Sequence, residues 1–380
     1  MQRKYFDYAS TTPADPEVVK VMTPYFYEKF GNASSPHSVG REAQKALEDS
    51  RETLARFLGA NAEEFIFTSG ATESNNQAII GIARQLKNKG KHIVVSQIEH
   101  HSVLEPIYYL EKEGYTITYL PVDPVGLVDV QNLKKALTGQ TILVCLIQAS
   151  NEIGTIQSIA EIGTIVREQN IHFHVDAVQT VGHIPVNVKE LHADTLSLSA
   201  HKFYGPKGVA ALYVRKGVRL PSFLMGGGQE RGLRASTQNV AGAVGLAKAI
   251  QLCQDTMAQE ADLQKKLRDT LLNEIPKRIA GVIVNGHRTQ RLPNNAHFSF
   301  EKVSGESLLM SLDMAGIAAS MGSACTSGAM EPSHVLRAIG LSDELAFGSL
   351  RVTLGRWTTE EDVDYLLEEL PKVVKRLRKV

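Results

Sequence analysis

From Phe65 onward the sequence alternates short apolar runs with longer amphipathic stretches, and that alternation leaves few folds open to the chain. The runs at 65–68, 92–96, 115–120, 141–147, 172–175, 195–199 and 209–214 have the length of strands. Most are separated by stretches such as 73–88, 102–113 and 157–169, where apolar residues recur at helical spacing. Strands joined through helices run parallel, and a parallel sheet is covered on both faces. The pattern therefore predicts an α/β fold, a mainly parallel sheet sandwiched by helices. Ligands of such sheets sit beyond the carboxyl ends of the strands, so the residues just after each run are where chemistry is expected.

Two of those strand ends carry a matched pair. The stretch Asp194-Thr-Leu-Ser-Leu-Ser-Ala-His-Lys-Phe-Tyr-Gly-Pro-Lys-Gly208 alternates small polar with apolar residues over 195–199. It then runs through Ala200-His201-Lys202 into a turn containing Gly205-Pro206. A lysine at the end of a core strand, flanked by serine and histidine rather than acids, is placed to lose its water. Desolvation lowers its pKa and makes the amine nucleophilic. Upstream, Ile171-His-Phe-His-Val-Asp-Ala-Val-Gln179 is a second short apolar strand, and it ends in Asp176. A strand-end lysine and a strand-end carboxylate are the pair that pyridoxal phosphate needs. The lysine holds the aldehyde, and the aspartate keeps the pyridine nitrogen protonated so that the ring accepts electrons.

Val175-Asp-Ala-Val-Gln179 and Ser197-Leu-Ser-Ala-His-Lys202 resemble the pyridoxal-phosphate enzymes of the aspartate-aminotransferase-like fold. More narrowly, they resemble the cysteine desulfurases of the NifS/IscS type. The resemblance runs in several blocks from Asp7 to the last helix and implies a role for each matching residue. Thr72, in Thr68-Ser-Gly-Ala-Thr-Glu73, matches a ligand of the cofactor phosphate, where small residues and a helix N-terminus suit an anion. Ser199 and His201 match the other phosphate-side residues. His100, in Ile98-Glu-His-His101, inherits the histidine that stacks on the pyridine ring and moves protons, with His101 as the neighbouring alternative. Asn151, in Ala149-Ser-Asn-Glu-Ile-Gly-Thr-Ile-Gln157, faces the cofactor and the substrate carboxylate, and Gln179 hydrogen-bonds the cofactor's phenolic oxygen. Arg351, in Ser349-Leu-Arg-Val-Thr-Leu-Gly-Arg356, binds the substrate carboxylate in preference to its competitor Arg356. Thr237 ends the glycine-rich loop Gly226-Gly-Gly-Gln-Glu-Arg-Gly-Leu-Arg-Ala-Ser-Thr237 and reaches across a homodimer interface to the partner's phosphate. Ala235-Ser236 stands where the family usually has a small pair containing glycine.

The cysteines divide into two kinds. Cys145, inside an apolar strand, and Cys253, on a helix, read as buried hydrophobes. Cys325 lies in Ala318-Ala-Ser-Met-Gly-Ser-Ala-Cys-Thr-Ser-Gly-Ala-Met330, whose small residues describe a sterically open loop. This stretch, followed by Glu331-Pro-Ser-His-Val-Leu336, resembles the desulfurase nucleophile loop. The implied reaction converts L-cysteine to L-alanine, with sulfur held as a persulfide on Cys325. The sulfur then passes to an acceptor, an iron–sulfur scaffold or a tRNA-thiolation enzyme. Alternatives on the same fold are a selenocysteine lyase and a class V aminotransferase, and the latter has no use for Cys325. A non-catalytic adaptor is the rival from another class; Lys202, Asp176, His100 and Cys325 together speak against it.

A long helical segment from about 239 to 275 leads away from the sheet. Fewer strands come after it, near 281–285 and 295–300, then a helix near 305–315 and a last strand and helix after Gly348. The division expected is a large cofactor-binding α/β domain over 14–257 and a smaller α+β domain from 1–13 and 258–380 that carries the nucleophile loop. At the start of the chain, Asp15-Pro16 reads as the N-cap and first residue of a helix ending near Gly31. A second helix from about Val39 stops at Gly59. Lys+Arg and Asp+Glu both total 41, so nothing in the charge points to nucleic acid or an anionic membrane. No apolar run has membrane-spanning length and the first residues lack the core of a signal peptide, so a cytoplasmic protein is expected. The three cysteines are too scattered for a disulfide framework or a metal site. The chain stops at Val380 after the basic Lys372-Val-Val-Lys-Arg-Leu-Arg-Lys379, where housekeeping relatives carry a tail that helps dock the scaffold. The missing tail weakens the scaffold assignment without excluding it.

Overall fold

The computed structural model describes residues 3–321 and 332–379. After the short strand β1 (Lys4–Tyr5), seven strands build the main sheet: β2 (Phe65–Thr68), β3 (His92–Ser96), β4 (Thr116–Leu120), β5 (Thr141–Ile147), β6 (His172–Asp176), β7 (Thr195–Ser199) and β8 (Ala210–Val214). Their order across the sheet is β2-β8-β7-β6-β5-β3-β4, with β8 antiparallel to both neighbours and all other pairs parallel. β5, β6 and β7 are buried at every position, as central strands covered by helices on both faces must be. Cys145 is one of those buried residues of β5.

The register brings the central strand ends to one level. Ile147 stands opposite Asp176, and Asp176 opposite Ser197, so β5, β6 and β7 open together. The core beneath takes Leu47, Leu54 and Leu58 from the helix Ser38–Leu58. That helix stops at Gly59, whose φ of 74° is the left-handed conformation glycine adopts without steric cost.

A second core lies behind a smaller antiparallel sheet of β9 (Val282–Val284), β10 (Asn295–Phe300) and β12 (Ser349–Thr353), in the order β12-β10-β9. β11 (Ile317–Ala318) pairs with β1 in parallel. The C-terminal helix Glu360–Leu377 closes this core with Val363, Leu366, Leu367, Leu370, Val373 and Val374. One helix, Val240–Arg278, serves both cores. Val240, Leu246, Ile250 and Cys253 pack in the first, and Leu267, Leu271, Leu272 and Ile275 in the second.

Some elements depart from the sequence expectations. The helix opened by Asp15 runs only from Pro16 to Met22, and a 3-10 turn over Thr23–Phe26 succeeds it. Pro24 has no N–H to continue the α-helical ladder, and the Thr23 hydroxyl donates back to the Val19 carbonyl at 2.8 Å. Asp15 caps the helix as expected, accepting from the Glu17 amide at 2.9 Å. A short helix, Val130–Ala136, has no counterpart in the apolar pattern; its cap is Asp129, which accepts from Gln131 N.

The segment between β1 and Asp15 is irregular, and it joins the two cores. Asp7 bridges to Thr353 of β12, and Ala9 N donates to the Thr353 hydroxyl at 2.9 Å. Thr12 N then donates to His201 O, and Asp15 N to Tyr204 O, each at 2.9 Å. Arg356, the arginine competing with Arg351 in the sequence, is part of this joint. It pairs with Asp15 and Glu260, and its guanidinium lies 4.3 Å from the centre of the Tyr204 ring.

Candidate active site

Beyond the carboxyl ends of β5, β6 and β7 opens a cleft of about 590 Å³. Lys202 reaches it through a single 3-10 turn, Ala200–Lys202, directly after β7. Gly205 N and Phe203 N both donate to Ala200 O, which folds the chain away and leaves the lysine projecting. Its amine donates to the carbonyls of Ala9 and Ser10 at 2.6 and 2.7 Å. Burial, helped by the neighbouring Arg351 charge, lowers its pKa from 10.5 to about 8, while Asp7 and Asp176 pull the other way.

Asp176 ends β6 and is buried. One carboxylate oxygen accepts from Val178 N at 3.0 Å and the other from the Asn75 side-chain amide at 2.9 Å. Gln179, on the turn after β6, donates to Ala9 O at 3.0 Å.

At the end of β2, Gly70 leads into the helix Ala71–Leu86, and Gly70, Ala71 and Thr72 line the cleft. A β-carbon added at Gly70 would meet nothing within 4 Å, so there is room directly before a helix N-terminus. Ser199 and His201 border the same end. Burial, with the Lys202 charge second, pushes the His201 imidazole down to about 4, and its Nδ1 sits 3.1 Å from the Thr11 hydroxyl.

On the other side, His100 caps the helix His101–Lys112, its Nδ1 accepting from Ser102 N at 3.0 Å. Desolvation lowers its pKa, against the pull of Asp176. Arg351 enters from β12: one nitrogen donates to Asp7 Oδ1 and to the Ser10 hydroxyl at 2.9 and 2.7 Å, another to Asn151 O at 2.9 Å. Asn151 itself borders the cleft.

Thr72, His100, Asn151, Asp176, Gln179, Ser199, His201, Lys202 and Arg351 thus share one cleft. Thr237 is exposed and lies outside it, and Cys325 falls outside the described residues. The sequence pattern does not reveal three contributions. The run Ala9–Thr11 lines the cleft and receives the lysine. Its signal is an irregular polar stretch whose backbone groups need partners elsewhere. Asn75, Gln77 and Ser74 sit at 0% exposure on a helix where polar residues read as a solvated face. Two buried carboxyls, Glu99 and Glu152, also line the cleft, and burial raises both, Glu99 to about 8.

The donor set fits pyridoxal phosphate. It offers a desolvated amine for the aldehyde, a carboxylate held by two donors for the ring nitrogen, and an open helix N-terminus with hydroxyls nearby for the phosphate. A parallel α/β sheet with this lysine and aspartate at adjacent strand ends defines a pyridoxal-phosphate enzyme. Residues 4–366 match the family described as Aminotransferase class-V. The "Cysteine desulfurase IscS" of Dictyoglomus turgidum is 55% identical over 376 residues, covering 99% of this chain and 95% of that one. The protein of the same name from Clostridium botulinum (strain Hall) is 51% identical over 378 residues, covering 99% and 95%. A solved "NIFS-LIKE PROTEIN" superposes with a TM-score of 0.93 at 38% identity, covering 99% of this chain and 100% of that one. The chain belongs to the class-V aminotransferase family and, within it, to the cysteine desulfurases of the IscS/NifS type. Its cofactor is pyridoxal phosphate.

The state of the Lys202 amine is directly measurable. On the cofactor-free protein, an amine-reactive probe combined with peptide mass spectrometry should label Lys202 with a pH midpoint near 8. Below that pH the side chain is an ammonium and inert; above it the free amine reacts. A midpoint near the ordinary 10.5 would show that burial does not activate this lysine.

Proposed function

We propose that this enzyme takes L-cysteine to L-alanine and keeps the sulfur as a persulfide on Cys325. The observation that carries the reading is the meeting of Lys202, Asp176, His100 and Arg351, from four separate elements, in one cleft of a chain from the desulfurase family. Arg351, held in place by Asp7, Ser10 and the Asn151 carbonyl, offers its guanidinium charge to the substrate carboxylate, with Asn151 beside it. Thr72, Ser199, His201 and the helix start at Gly70 hold the cofactor phosphate, and Gln179 holds the phenolic oxygen. When bound, pyridoxal phosphate supplies an electron sink beside the substrate α-carbon.

Lys202 would hold the cofactor through its aldehyde. The Lys202 amine, or His100, would move the substrate α-proton. The Cys325 thiolate attacks the substrate sulfur, so an S–S bond forms as the C–S bond breaks. The electron pair of that bond stays with the substrate β-carbon, which gains a proton and becomes the methyl group of alanine. Cys145 and Cys253 are unsuited to this step, since both are buried and burial raises their thiol pKa, that of Cys253 to about 12. In the same reading the chain divides at the long helix into a cofactor-binding domain, 14–257, and a smaller domain from 1–13 and 258–380. The acceptor is an iron–sulfur scaffold or a tRNA-thiolation enzyme in the cytoplasm. No helix among the described residues is long and apolar enough to cross a membrane.

Cys325→Ser decides between this reaction and its relatives on the same fold. The variant should bind pyridoxal phosphate and L-cysteine, because Lys202, Asp176 and Arg351 are untouched. It should release almost no alanine and show no persulfide on its 325 peptide by mass spectrometry. Near-normal alanine release would contradict the proposal, and activity kept only toward selenocysteine would favour a lyase.

The same reading makes the enzyme a homodimer with Thr237 serving the partner's site. Phe26, Tyr27, Phe30 and Met225 are 68, 63, 70 and 93% exposed, apolar side chains that a partner chain would cover. The glycine-rich loop before Thr237 is fastened at its middle. Glu230 is buried and forms a two-pronged ion pair with Arg51 at 2.8 and 3.0 Å. Ser236 adopts φ 96°, a conformation that favours the glycine usual in the family pair. Hybrids of Lys202→Ala and Thr237→Ala chains, made by dissociation and reassociation, should recover activity above either parent. Their one unimpaired site joins an intact Lys202 to an intact Thr237 across the interface. A monomer in solution, or confirmed hybrids without recovery, would refute the shared site.

A further inference from the structure

Behind Asp176 runs a buried chain of side chains that the desulfurase reaction itself does not use. Asn75 donates from Nδ2 to Asp176 Oδ2 at 2.9 Å and to the Ser102 hydroxyl oxygen at 2.8 Å. Its Oδ1 lies 3.0 Å from His174 Nε2, and His174 Nδ1 lies 2.9 Å from the Thr195 hydroxyl. Thr195 is also 3.0 Å from His172 Nε2. On the other branch, the Ser102 hydroxyl is 2.8 Å from His100 Nδ1. Asn75, His174 and Thr195 all have 0% exposure.

Proton counting fixes the direction of every one of these bonds. Asp176, with a donor on each oxygen, accepts from Asn75, so Asn75 turns its amide nitrogen toward Asp176 and its oxygen toward His174. That oxygen accepts only, so His174 carries its proton on Nε2. Burial pushes His174 down to about 3 and His172 to about 4, so both rings are neutral. The His174 Nδ1 is therefore an acceptor, Thr195 donates to it, and His172 donates from Nε2 to Thr195. The two Asn75 protons are then spent on Asp176 and Ser102. Having accepted from Asn75, the Ser102 hydroxyl sends its own proton to His100 Nδ1, which also accepts from Ser102 N.

We propose that Asn75 is the positioning residue that couples the two sides of the site: it holds Asp176 for the cofactor ring and, through Ser102, locks His100 in the tautomer with its proton on Nε2. The proposal rests on the roles of Asp176 and His100 in the desulfurase reading. It deepens that reading by dividing the labour between the two candidates for the α-proton. With Nδ1 held by two donors and Nε2 already protonated, neutral His100 enters the reaction as a donor at the cleft, and the base is the Lys202 amine. The carboxylate of Asp176, the phosphate pocket and Arg351 need no change for this.

The test reads the His100 tautomer and the cofactor affinity besides turnover of cysteine. First, in the wild-type chain labelled with 15N-histidine, the His100 signal, assigned by its loss in His100→Gln, should be the Nε2–H tautomer. Second, Asn75→Leu, close in size but without the amide, should bind pyridoxal phosphate roughly ten- to a hundredfold more weakly, the usual worth of a hydrogen bond to a charged group. Third, Ser102→Ala leaves the Asn75 bond to Asp176 in place. It should keep cofactor affinity within about twofold while lowering kcat for alanine, with KM for cysteine little changed because Arg351 is intact. A His100 signal with the proton on Nδ1, or unchanged cofactor affinity in a folded Asn75→Leu, overturns the proposal. If Asn75→Leu does not fold, the wild-type tautomer alone decides. Failure of the desulfurase reading would appear as absent alanine in the wild type with the His100 tautomer and the cofactor affinities unaffected, so the two failures are distinguishable.

Discussion

The Lys202 amine, donating to two carbonyls of a segment nearly two hundred residues away in sequence, is the contact on which the arrangement of the site depends. An amine that must react near neutral pH has to be desolvated, and a desolvated amine has to be hydrogen-bonded or its burial is too costly. β7 and its single 3-10 turn deliver the lysine, but its partners come from the irregular stretch after β1. That stretch is itself held by β12 on one side and by His201 and Tyr204 on the other. The Lys202 amine therefore sits where the two cores are tied together. A change in that tie would reach the lysine before it reached either core.

Charges of both signs surround this amine, and their balance sets its state. Desolvation and Arg351 lower its pKa, Asp7 and Asp176 raise it, and the outcome is about 8 rather than the lower values reached by fully buried lysines. Asp7 has a second task, since it also pairs with Arg351 at 2.9 Å. One carboxylate thus steadies the arginine proposed for the substrate and moderates the lysine proposed for the cofactor. An unpaired buried guanidinium in its place would cost several kcal/mol.

The main sheet is legible in the sequence because strands covered on both faces are short and free of charged residues, and the stretches at 65–68, 92–96, 141–147 and 195–199 coincide with β2, β3, β5 and β7. The strand-end placement of Asp176 and Lys202 comes from the same pattern. Features whose reason lies elsewhere in the chain are not legible. The entry segment shows no periodicity, since its hydrogen bonds go to β12 and to the turn after β7. The polar run Ser74-Asn-Asn-Gln77 resembles a solvated helix face, yet Asn75 is buried because Asp176 and His174 wait across the helix–sheet interface. The helix after Asp15 is shorter than its apolar pattern suggests, because that pattern continues past Pro24, where the backbone cannot.

The central claim is that this one lysine, among those near the cleft, is the group that holds the cofactor. Lys207 lines the same cleft and is the built-in control. The decisive measurement is to load the cofactor-free chain with pyridoxal phosphate, add borohydride to make any carbon–nitrogen bond between cofactor and lysine permanent, and map the modified peptide by mass spectrometry. The account predicts one pyridoxyl group per chain, on Lys202. Modification of Lys207, or none at all in a chain that has bound the cofactor, would contradict it.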